Sequence, residues 1–109
     1  MIADNLMSMT EIAKANGIRV VLSSVLPAYD FPWRPGIGPA PKVVALNAWV
    51  KCYAAQAGAV YLDYHGRMAD ARGGLSAEMA SDGVHPTEAG YLIMAPLAEA
   101  AIQEALRRP

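Results

Sequence analysis

The stretch richest in chemistry is Ser81-Asp82-Gly83-Val84-His85-Pro86-Thr87-Glu88-Ala89-Gly90-Tyr91. Asp82 and His85 lie three residues apart, and in a tight turn both side chains can project the same way. A carboxylate so placed accepts the proton of one imidazole nitrogen, fixes the tautomer and leaves the other nitrogen free as a general base. Pro86 pins the backbone beside the histidine and can open a helix. Gly90 allows that helix to approach a neighbour closely. The plainer reading gives Asp82 a capping role and His85 a capping or packing role at the helix start.

Asp63-x-His65 taken with Asp82-x-x-His85 offers two carboxylates and two imidazoles, a donor set suited to zinc or manganese. Against that, His65 reads simply as a loop residue. A general base also needs a nucleophile. Ser23 and Ser24 fall in an apolar strand, Ser8 in a helix, and Ser76 and Ser81 on the loop before Asp82. None sits on a Gly-x-Ser-x-Gly elbow or a Gly-Asp-Ser turn, and capping or loop roles account for them. Cys52, the single cysteine, has no base near it in sequence and reads as a small packing residue. It excludes an internal disulfide and a zinc site built mainly from cysteines.

These side chains must be positioned by elements that alternate along the chain. Residues 3–16 read as a helix, with Ile2, Leu6, Met9 and Ala13 forming one apolar stripe and Gly17 closing it. Residues 18–26 are nearly all apolar and rich in β-branched types, as in a strand buried on both faces of a parallel sheet. Residues 27–41 hold five of the eight prolines, a density that excludes helix and inner strand. This loop carries Tyr29, Phe31 and Trp33, with Arg34 beside them. After a parallel strand it sits at the carboxyl edge of the sheet, where open α/β folds bind ligands. Tyr29, Phe31 and Trp33 are therefore candidate substrate-binding residues; the alternative is a proline-stiffened surface loop with aromatic anchors.

Pro41 can start the next helix, whose stripe is Val43, Leu46, Val50, Tyr53 and Ala57. Residues 59–62 form a second strand, and a glycine-bearing loop with Gly66, Gly73 and Gly74 follows. The last helix runs from Thr87 to Arg107 with a stripe of Met94, Ala98, Ala101 and Ala105, and Pro96 predicts a kink or break inside it. The order is α-β-α-β-α, with two parallel strands and helices on both faces.

At 109 residues the chain is one domain at most. Hydrophobic residues make up 54% and charged residues only 17%, too apolar for disorder and apolar for a free-standing domain of this size. Together with the small number of strands, this leads us to expect residues 1–109 to be a single partial domain, the carboxyl half of a larger α/β unit. A net charge of -1 gives no basic footprint, so nucleic acid is not an expected partner. No apolar run is long enough to span a bilayer. Met1–Asn5 carries no basic residue and is not expected to be a signal peptide; localisation is not legible.

The block Asp-Gly-Val-His-Pro-Thr-x-x-Gly-Tyr at residues 82–91 resembles the last motif block of the SGNH (GDSL-like) hydrolases. Val20-Val21-Leu22-Ser23-Ser24-Val25-Leu26-Pro27 is similar to that family's fourth strand with its following proline, and Val60-Tyr61-Leu62-Asp63 to its fifth. The resemblance implies a flavodoxin-like three-layer α/β/α fold and hydrolysis of acyl esters of lipids, acetylated sugars or simple alcohols, with no cofactor and no metal. It assigns Asp82 and His85 to the triad aspartate and histidine, beside a serine nucleophile and an oxyanion hole of two backbone N–H groups and an asparagine. The Gly-Asp-Ser block, the second-block glycine and the Gly-x-Asn-Asp block are absent, as expected if the amino-terminal strands are missing and the chain is inactive alone. The alternative is a non-catalytic half-domain that self-associates, or accepts a complementing segment, through the open edge of its first strand.

Overall fold

Two short strands in parallel form the centre of the computed structural model, which describes residues 1–108. In chain order the elements are α1 (Ile2–Ala15), β1 (Val21–Ser23), α2 (Ala40–Ala57), β2 (Val60–Leu62), α3 (His65–Met68) and α4 (Glu88–Arg107). Val21 pairs with Val60, Leu22 with Tyr61 and Ser23 with Leu62.

Alternate strand side chains face opposite ways, and this sorts the core into two layers. On one face Leu22, Val20 and Tyr61 pack with Leu46, Val50, Tyr53 and Ala54 of α2 and with Leu6 of α1. On the other, Val21, Val60 and Leu62 pack with Leu97, Ala98, Ala101 and Ala105 of α4. The result is a three-layer α/β/α arrangement with a parallel sheet. A third cluster, Met68, Leu75 and Ala80 with Leu26, Tyr64, Met79 and Met94, joins α3 and the loop after it to α4.

Several expectations need correction. The predicted nine-residue strand shortens to Val21–Ser23: Ile18 N is taken by Ala13 O at the end of α1, and at the other end the buried Asn47 side chain takes both backbone groups of Val25. Its Oδ1 accepts from Val25 N at 2.7 Å and its Nδ2 donates to Val25 O at 3.1 Å. Of the α1 stripe, Leu6, Met9 and Ala13 face the groove beside β1 and Leu6 packs on the core, whereas Ile2 and Met9 are exposed and Thr10 is the buried residue of the helix. Its hydroxyl donates to Leu6 O at 2.8 Å, so a polar group is buried with its bond satisfied. A short helix, α3, stands where only loop was expected. Cys52 is exposed on α2 rather than packed. Helix α4 runs unbroken through Pro96. Pro96 and the residue four before it, Leu92, both lie on the exposed face, where water can take the carbonyl that proline leaves unbonded.

Candidate active site

Asp82 and His85 sit on the turn that leads into α4. Gly83, between them, has φ of +81°, a conformation glycine adopts without penalty. Asp82 Oδ1 accepts from the backbone N–H of Val84 and of His85, each at 2.8 Å. Asp82 Oδ2 stands 2.6 Å from His85 Nδ1. The His85 side-chain bond, followed by the backbone N–H groups of His85 and Val84, holds the Asp82 carboxyl well below the usual carboxylate range. A carboxylate stays charged when three donors are aimed at it.

The helix start fixes this turn in place. Thr87 caps α4, its Oγ1 accepting from Gly90 N at 3.3 Å. The same hydroxyl donates to Glu78 O at 2.7 Å, and Thr87 N donates to Met79 O at 2.7 Å. A Cβ on Gly90 would stand 2.6 Å from Met79 O and 3.1 Å from Pro86 Cβ. Gly90 is therefore the residue that lets the first turn of α4 lie on the 78–79 backbone.

The proline-rich loop lies against the pair. Its Asp30 carboxylate accepts from Gly36 N at 2.9 Å and Gly38 N at 3.4 Å, and these amides, Gly36 first, lower its pKa from the usual value. Inside the bend Phe31 and Trp33 stack at 5.2 Å between centroids. Trp33 in turn lies 5.8 Å from the His85 ring at 41°. A cavity of about 270 Å³ opens between this loop and the turn, lined by Tyr29, Phe31, Pro32, Arg72, Leu75 and Asp82 among others. Tyr29 and Phe31 thus share a cavity with Asp82, whereas Trp33 sits against His85 and is not part of that wall.

Arg72 escaped the sequence reading. Its guanidinium lies 4.6 Å over the Tyr29 ring. Asp70 Oδ1 accepts from Arg72 N and Gly74 N, each at 2.9 Å, closing a tight turn. Gly74 lies so close to Tyr29 that an added Cβ would be 2.8 Å from Tyr29 Cβ. The one sequence signal was Asp70-x-Arg72-Gly73-Gly74, an aspartate-led turn.

The four-residue metal set is not assembled: among the described residues no group of three or more His, Cys, Asp or Glu is gathered to hold an ion. His65 instead uses its backbone N–H on Ser24 Oγ at 2.9 Å. No serine hydroxyl bonds the His85 imidazole among the described residues; its side-chain partner is Asp82. With Nδ1 donating to Asp82, Nε2 keeps its lone pair, and the imidazole, 72% exposed, can take a proton from a hydroxyl brought to it.

Residues 1–93 match the model of the GDSL-like lipase/acylhydrolase family. A structure from Bacteroides fragilis assigned as an acylhydrolase is 42% identical with a TM-score of 0.90, over 96% of this chain and 51% of that one. A GDSL-like lipase from Bacteroides thetaiotaomicron is 44% identical with a TM-score of 0.88, over 94% of this chain and 51% of that one. The esterase domain of the ORF1 protein of the zebrafish ZfL2-1 retrotransposon shares the fold at 17% identity and a TM-score of 0.76, over 94% of this chain and 58% of that one. A comparison with curated proteins finds no match. The chain spans about half the length of the two Bacteroides structures.

Proposed function

This chain belongs to the GDSL-like lipase/acylhydrolase family, and on that premise we propose that Asp82 and His85 are the orienting carboxylate and general base of a serine ester hydrolase. The observation that carries the proposal is the 2.6 Å contact of Asp82 Oδ2 with His85 Nδ1, on a carboxylate whose other oxygen is tied by two backbone N–H groups. Residues 1–109 form one half of an acylhydrolase domain, and the attacking serine belongs to the half they do not supply.

The chemistry then runs in two steps. His85 Nε2 takes the proton of the serine hydroxyl as its oxygen adds to the ester carbonyl, and Asp82 stabilises the imidazolium. His85 returns that proton to the departing alcohol, leaving an acyl-serine, which a water deprotonated by the same nitrogen hydrolyses. Tyr29 and Phe31 contact the bound ester from the cavity and Trp33 from beside the imidazole. The partner is a small-molecule acyl ester. No helix of the described residues is long and apolar enough to cross a membrane. The test joins this chain to an amino-terminal segment carrying a Gly-Asp-Ser block and follows p-nitrophenyl acetate hydrolysis with and without His85→Ala.

One observation favours a second reading, a half-domain that associates through its sheet. Among the described residues β1 pairs only with β2, and its other edge opens onto a groove of about 320 Å³ lined by Leu6, Met9, Thr10, Val20, Leu22 and Ser23 among others. An open strand edge beside an apolar groove is a template for another strand.

A further inference from the structure

The cavity beside the Asp82–His85 pair holds three charged side chains, and their hydrogen-bonding states differ. Asp82 is engaged by His85 and two backbone N–H groups. Asp30 is engaged by the amides of Gly36 and Gly38. Arg72 forms no side-chain hydrogen bond and no ion pair within 4.0 Å among the described residues. Its five N–H donors are unspent on protein, yet the group is not loose. The Asp70 turn fixes its backbone, and its Cζ lies 4.6 Å over the Tyr29 ring at the cavity wall.

We propose that Arg72 is a specificity-determining residue that selects esters bearing a carboxylate or similar anionic group on the part of the substrate that enters the Tyr29–Phe31 cavity. This deepens the hydrolase reading above and rests on it. A planar guanidinium with free parallel donors matches a carboxylate bidentately. Asp30 and Asp82 in the same cavity are engaged by amide and imidazole donors, and Arg72 is the one cationic side chain among its lining residues. The aromatic and proline walls accommodate the apolar stem between the anion and the ester carbonyl, and the carbonyl end lies toward His85.

The test needs no catalysis and uses the 109-residue chain itself. Monomethyl succinate and dimethyl succinate differ by one methyl ester against one carboxylate. Each is titrated at neutral pH and followed by amide and indole NMR shifts of Gly74, Gly83 and Trp33. The monoester is expected to bind about twofold to fivefold more tightly, the range for an ion pair at an exposed site. Arg72→Gln is expected to remove that preference, bringing the two esters to equal affinity. Added salt is also expected to weaken the monoester alone. Equal binding of the two esters, or a preference that survives Arg72→Gln, overturns the role of Arg72 and leaves the hydrolase reading standing. Shifts from neither ester overturn the cavity as an ester subsite and the role of Arg72 with it, while the hydrolase reading stands or falls on the His85→Ala comparison.

Discussion

Asp82 is the residue on which most of the local electrostatics converges. Its carboxylate is held charged first by the His85 side chain and then by the N–H groups of His85 and Val84, which lowers its pKa. A depressed native pKa adds stability that is present above the unfolded value of about 3.9 and is lost as pH falls through the native value. The stability of the chain is therefore expected to decline as pH is taken below about 4. Asp30 and Asp70, also lowered by backbone amides, contribute to the same decline. Asp82→Asn removes one part of it, so the variant loses less stability between pH 6 and pH 3 than the parent does. Urea titrations across that range measure the difference; parallel curves for the two proteins would mean that Asp82 gains nothing from its three donors in the folded state.

At the scale of elements, the site depends on how α4 begins. Gly90 lies against Met79 O and Pro86, where a Cβ would be 2.6 Å and 3.1 Å away. Gly90→Ala forces the helix start off the 78–79 backbone. Overpacking of this kind costs about 1–3 kcal/mol, against a helix-propensity gain of up to about 1 kcal/mol. A net loss is expected, read as a lower urea midpoint, together with a shifted His85 ring resonance; an unchanged midpoint and ring signal would show that the turn does not rest on this contact. The Asp82–His85 pair was legible in sequence because its hydrogen bonds span at most three residues; the close approach of Gly90 was legible only as a glycine in the first turn of a helix, since the Met79 carbonyl it meets lies eleven positions back. The short β1 was not legible, since its carboxyl end is set by Asn47, a residue 22 positions beyond Val25. The burial of Thr10 was missed for a different reason: it reads as polar, but its hydroxyl is satisfied inside its own helix by Leu6 O. Arg72 carried no motif and gained its meaning only when the Asp70 turn brought it over Tyr29.

For the whole molecule, the alternation of helices and strands and the two-faced burial of the sheet were readable from apolar periodicity alone, because α2 and α4 each need a sheet face to cover their stripes. What lies along the open edge of β1 was not readable. Exposed Met9 lines the apolar groove beside it, and we expect the isolated 109-residue chain to self-associate. Sedimentation velocity should give a mass that rises above 11.6 kDa with micromolar concentration; a single sharp monomer would speak against an edge in want of a partner. The central claim concerns the pair at residues 82 and 85, and its most direct test is the rate of p-nitrophenyl acetate hydrolysis by this chain joined to a Gly-Asp-Ser-bearing amino-terminal segment. The account predicts turnover with native His85 and a fall of about a thousandfold or more in kcat/KM with His85→Ala. Equal rates for the two proteins would contradict it.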